Sequence, residues 1–174
     1  MDDKATGKPG FGEIRTVGPD DARAFADVIR RSFRTVADEF GFTPENAPRF
    51  TAFAVTEERI RGEMADTRRE MFACFDPSGQ RMIGCCAVVF DGNGSCELCH
   101  LAVLPEYRHL RVGSALIREV CDRARAHGCG RMKLGMVEEN TRLKRWYELA
   151  GFVTVRTEKY DFFPFTCGYM EKEL

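Results

Sequence analysis

The chain has 174 residues, of which 44% are hydrophobic and 30% charged, with 26 Lys and Arg against 27 Asp and Glu. A chain of this length buries a core without covalent staples, and this balance excludes wholesale disorder or a fibrous fold. A net charge of −1 argues against a dedicated nucleic-acid or membrane-surface binder, and no apolar run approaches the roughly 18 residues of a membrane span.

Residues 1–10 balance two Asp against two Lys, contain glycine and lack an apolar run, so a flexible tail is expected there, followed by one domain over residues 11–174. Glu13 to Val17 alternates and stops at Gly18-Pro19, which reads as a short strand. Asp20 is the expected N-cap of a helix whose apolar residues Ala22, Phe25, Val28, Ile29, Phe33, Val36 and Phe40 recur at steps of three and four. Gly41 closes that helix. Residues 42–51 contain two prolines and read as a loop. Thr56 then caps a second helix that carries Glu57 and Glu58 in its first turn. Strands are expected over 71–75, 81–90 and 96–103, separated by the turns Asp76-Pro77-Ser78-Gly79 and Asp91-Gly92-Asn93-Gly94. Gly113, Leu116, Ile117, Val120, Cys121 and Ala124 make one helical face, stopped by Gly128. Residues 131–137 form a buried-type strand, and Asn140 opens a helix closed by Gly151. Two strands, 152–160 and 165–170, complete a mixed α/β order.

Eight cysteines with no export signal read as reduced thiols of a cytoplasmic chain. Cys96 and Cys99 have C-x-x-C spacing, but an offset of three along a strand sends them to opposite faces, so no metal is expected there. Cys85 and Cys86 lie inside an apolar run and read as core.

The segment from Glu97 to Ile117 carries the chemistry. A strand runs into a short loop with Arg108, Arg111 and Gly113, and then into a helix. A helix start has unpaired N–H groups and a positive dipole end, and a glycine lets backbone amides approach a phosphate. This reads equally as an anion site at a strand-to-helix turn or as an ordinary loop with exposed arginines. The G-x-x-x-x-G-K-[ST] and G-x-G-x-x-G patterns are both absent.

Arg108-His109-Leu110-Arg111-Val112-Gly113 resembles the [Q/R]-x-x-G-x-[G/A] signature of the GCN5-related N-acetyltransferases (GNAT), with Arg111 where the first glycine is usual. Leu101-Ala102-Val103-Leu104-Pro105-Glu106-Tyr107 before it is similar to that family as well. So is Asn140 to Phe152, which resembles N-x-x-A-x-x-[LF]-Y-x-x-x-G-F with Leu143 in place of Ala. The likeness spans about residues 11–174. It implies a GNAT fold: a mixed central sheet of about seven strands with about four flanking helices, splayed between strands 4 and 5.

The resemblance implies acetyl-CoA as cosubstrate, with no metal. Its pyrophosphate would sit on the loop Arg108, His109, Leu110, Arg111, Val112, Gly113 and Ser114, and its pantetheine arm along Leu101, Ala102 and Val103. Arg111 either crowds the pyrophosphate or points out and pairs with a phosphate. Tyr147 takes the place of the general acid, suited to protonating a leaving thiolate because a phenol keeps its proton at neutral pH. Packing of the last helix against the sheet, together with Trp146, is the alternative. Asn140 caps its helix and would contact the CoA arm. Glu97 is the candidate base, read as a semi-buried carboxylate sharing a face with Cys99, Leu101 and Val103. A solvated strand charge is the alternative. His100 would lie on the opposite face, His109 in the anion loop, and His127 at a helix end that favours a cation. Lys144 reads as a solvated helix lysine.

The acceptor would be a small-molecule or peptide amine, bound between the loop Gly41–Phe50 and the segment Phe162–Thr166. The whole chain resembles uncharacterised bacterial-type members, including its Glu45-Asn46-Ala47-Pro48 loop and Pro164-Phe165-Thr166 segment, and this carries no substrate. The family likeness further suggests a homodimer that uses the final strands as an edge. A non-catalytic acyl-CoA-binding or sensing module and a simple phosphate-binding protein are the competing readings.

Overall fold

The computed structural model describes residues 10–174. The expected tail lies outside the described residues apart from Gly10. The strands are β1 Ile14–Thr16, β2 Arg69–Phe75, β3 Met82–Phe90, β4 Ser95–Val103, β5 Arg131–Val137, β6 Val153–Lys159 and β7 Thr166–Glu173. The helices are α1 Ala22–Phe40, α2 Thr51–Ala54, α3 Glu57–Met64, α4 Val112–Ala126 and α5 Thr141–Leu149. All strands join one sheet in the order β1-β2-β3-β4-β5-β7-β6. Every neighbouring pair is antiparallel except β4 and β5.

Sequence spacing predicts these elements closely. The single-turn α2 is an addition, formed where a loop ends at Phe50. Asp20 does not cap α1. It lies in a 3-10 turn, Pro19–Asp21, and the Asp21 carboxylate instead reaches back to accept from the Gly18 amide at 3.3 Å.

Two apolar layers cover the sheet. On one face α4 and α5 pack Leu116, Ile117, Val120 and Tyr147 against Phe72, Ile83, Val88 and Leu98. On the other, α1 and α3 pack Phe25, Ile29 and Ile60 against Met71, Ala73, Cys85 and Ala102. A third cluster joins Phe42, Phe50, Val137 and Phe165, linking the end of α1 to β5 and to the approach of β7. Six cysteines are buried, and Cys99 and Cys167 are partly so. Cys96 and Cys99 belong to opposite layers, as the strand period requires.

Two irregularities of β4 shape the cleft beside it. First, β4 pairs with β5 only at Ser95, Cys96 and Glu97, so the strands part beyond that point. This is the splay that the family likeness implies. Second, Cys85 faces Ala102 whereas Ala87 faces Cys99, so one residue of β3 opposes both His100 and Leu101. His100 takes the left-handed conformation, φ 54°, at this bulge.

Candidate active site

The bulge decides which side chains reach the cleft. Before it, Cys99 faces the α1/α3 layer. After it, Leu101 and Val103 pack into the α4/α5 layer. An unbroken strand would have put Glu97, Cys99, Leu101 and Val103 on one face, but the extra residue reverses the alternation. Glu97 is therefore separated from Leu101 and Val103. It is also exposed rather than semi-buried, opposite Lys133 at the last paired position before the gap. His100 turns toward α3, where its Nε2 lies 2.7 Å from Glu63 Oε2 with only 10% of the side chain exposed. Arg59 and Arg69 also pair with Glu63, at 2.9 and 3.1 Å. Burial alone would raise the Glu63 carboxyl, but hydrogen bonds and charge from His100, Arg59 and Arg69 outweigh it and hold it at about 2.

Just past β4, on its paired side, Leu104 donates its amide to Ile83 of β3 at 2.9 Å. Val103, opposite Gly84, then turns its own N–H and C=O away from β3 and into the gap. Across the gap stand Gly135, Met136 and Val137 of β5.

At the far end of β4 the loop enters α4. Arg111 is the N-cap of α4 and adopts φ 63°, ψ 14°. That left-handed conformation explains why glycine is usual there, and arginine accepts it at a cost of roughly 1 kcal/mol. The Arg111 side chain is exposed. Among the described residues, the amides of His109 through Ser114 have no hydrogen-bond partner. The left-handed Arg111 followed by right-handed Val112 makes a concave run of N–H groups at a helix N-terminus, a suitable seat for a diphosphate. Gly113 packs closely on the last helix: a Cβ there would lie 3.2 Å from Trp146 Cζ2, so the indole would have to shift slightly.

Arg108 departs from its expected place. Its amide donates to Pro105, and its Nη2 donates to Ser32 O and Thr35 Oγ1 on α1, both at 3.0 Å. The side chain thus turns away from the amide cradle.

Asn140 caps α5 through its Oδ1, which accepts from Leu143 N at 3.1 Å, and it is 5% exposed. Tyr147 is buried between Trp146 and Phe152, with ring centroids at 5.1 and 5.6 Å. Burial, with a smaller contribution from Cys86, pushes its phenol well above the usual range. Among the described residues no protein group hydrogen-bonds that hydroxyl. Lys144 is not free in solvent but pairs with Glu138. His127 sits at the end of α4, 2.8 Å from Glu70 and stacked on Phe90.

One cavity of about 530 Å³ gathers most of the expected site residues. Leu101, Ala102, Val103, Arg108, His109, Arg111, Val112, Gly113, Ser114, Asn140 and Tyr147 all line it, whereas Leu110 and Glu97 do not. Phe33, Val36, Glu39, Phe50 and Arg142 close the end under α1. Sequence reasoning singled out neither Glu39 nor Arg142. They pair at 3.1 Å across 103 residues of chain, and no local pattern announces such a contact. Phe42, Phe163 and Phe165 of the expected acceptor walls pack mainly on one another, while Phe50 reaches the cavity. Among the described residues no group of His, Cys, Asp and Glu is placed to hold a metal, and no helix is long and apolar enough to cross a membrane.

A sequence model described as "Acetyltransferase (GNAT) family" matches residues 32–152, more than half of the chain. An uncharacterized N-acetyltransferase of Schizosaccharomyces pombe is 31% identical over 129 residues, covering 69% of this chain and 77% of that protein. One from Mycobacterium tuberculosis is 27% identical over 132 residues, covering 76% and 83%. Among solved structures, PaiA N-acetyltransferase of Thermoplasma acidophilum in complex with coenzyme A superposes with a TM-score of 0.78 at 20% identity, over 93% of this chain and 98% of that one. The ribosomal-protein-S18-alanine N-acetyltransferase of Escherichia coli superposes at 0.73 with 16% identity, over 92% of each. At these identities the structures share the fold.

Proposed function

Because the chain belongs to the GNAT acetyltransferase family, we propose that it moves the acetyl group of acetyl-CoA to a primary amine by direct attack within a ternary complex. One observation carries the reading: unpartnered amides, an unpaired strand edge and a tyrosine hydroxyl line the same cavity. In this reading the amides of His109 through Ser114 hold the pyrophosphate and the Val103 edge aligns the pantetheine. Asn140 contacts the arm while capping α5.

The neutral amine attacks the thioester carbon, an N–C bond forms and the C–S bond breaks. A backbone N–H of Leu101 to Val103 stabilises the oxygen as it gains charge. Tyr147 gives its proton to the leaving thiolate and recovers one from solvent. A phenol keeps its proton at neutral pH, and this hydroxyl, with no protein partner among the described residues, is free to hydrogen-bond the departing sulfur. Glu97 accepts the proton lost from nitrogen. Its exposed position where β4 and β5 part gives it a route through water.

Calorimetric titration with acetyl-CoA tests the reading. One-site binding that CoA competes away and ATP does not is expected, together with thiol release when amines are added. No binding at high micromolar ligand would overturn it.

A further inference from the structure

The α1 end of the cavity carries two arginines, Arg108 and Arg142, against one carboxylate, Glu39. Arg108 is half-buried, and among the described residues it forms no ion pair. Among those residues only its Nη2 is engaged, by two neutral oxygens, and Nε and Nη1 carry no hydrogen bond to them. Beside it the Ser32 hydroxyl is buried without a partner. Glu39, which lines the same end, is already paired with Arg142. Phe33, Val36, Phe50 and Val137 supply apolar wall around these groups. A half-buried guanidinium with free donors suits a carboxylate, which it can grip through two parallel hydrogen bonds.

We infer that the acceptor is an α-amino acid with an apolar side chain, whose carboxylate is held by Arg108 and Ser32 and whose side chain lies against Phe33 and Phe50. This deepens the acetyltransferase reading and rests on it. The acetyl group passes from sulfur to the α-nitrogen, and the proton lost by nitrogen balances the one gained by the thiolate. Polyamines fit poorly, because a buried ammonium is best met by a carboxylate and, among the described residues, the lining of this cavity offers only the engaged Glu39.

L-Leucine, L-leucinamide and 3-methylbutylamine share one side chain and differ only in the carboxylate, so their kcat/KM values test the inference. Leucine is expected to exceed both others at least tenfold, although the leucinamide amine is less basic and more often neutral. Equal or better turnover of leucinamide or 3-methylbutylamine would overturn it. Arg108→Gln should bring the three within about threefold while acetyl-CoA affinity holds, the loss matching one charge-assisted contact. An unchanged preference in that variant would also overturn it. If acetyl-CoA binds and none of the three amines turns over, their acetylation fails, and binding decides the rest. Leucine titrated into the CoA complex must then bind at least tenfold tighter than 3-methylbutylamine, and equal binding refutes the carboxylate site.

Discussion

Trp146 lies across the first turn of α4, so close that a Cβ on Gly113 would come within 3.2 Å of its indole. The two signature stretches of the chain therefore meet at this contact, one supplying the amides and the other the ring behind them. Gly113→Ala should be nearly neutral in stability, because better helix propensity of about 1 kcal/mol offsets a small shift of the indole. Gly113→Val is expected to displace Trp146 and lower acetyl-CoA affinity about tenfold or more, as read by calorimetry.

Arg111 holds a left-handed conformation that glycine adopts freely. Arg111→Gly should raise stability by about 1 kcal/mol in denaturant unfolding and leave acetyl-CoA affinity within threefold. Arg111→Val puts a β-branched side chain at positive φ and should destabilise by more than 1 kcal/mol, roughly.

Tyr147 packs through its ring and leaves its hydroxyl without a protein partner among the described residues. Tyr147→Phe should lower kcat at least tenfold with acetyl-CoA affinity and melting temperature preserved. Equal turnover would remove Tyr147 from the mechanism. The raised phenol pKa also has a sign: its contribution is full below the unfolded value near 10 and is lost as pH climbs toward the higher folded value.

Glu63 shows the opposite sign. Its carboxyl is depressed to about 2, so its ionised form stabilises the fold above about 4.5 and that stability disappears as pH falls toward 2. Wild-type protein should lose on the order of 2–3 kcal/mol from this group across the window, tracked by acid titration of the unfolding midpoint. Glu63→Gln should flatten that loss.

Much of the fold was legible because it rests on local rules. The helix Ala22–Phe40 obeys apolar spacing and ends at Gly41 with φ 68°. Asn140 and Thr56 cap helices as their side-chain chemistry suggests. The site was less legible at two points. The bulge at His100 is held by Glu63 from α3, and a reading of the strand alone keeps the period of two and misplaces Glu97 relative to Leu101. Arg108 matches the signature in sequence, yet its side chain is claimed by Ser32 and Thr35, 76 and 73 residues away. Long-range partners, rather than propensities, decide both.

The burial of the cysteines bears on how turnover can be watched. Burial pushes the Cys85, Cys86 and Cys74 thiols upward, and Cys99, only partly covered, is likewise raised to about 12. Thiolate is the species that attacks an aromatic disulfide dye, and an ordinary free thiol has a pKa near 8.5. Released CoA should colour such a dye in seconds, ahead of these four protein thiols. Slow late colour from them would report unfolding.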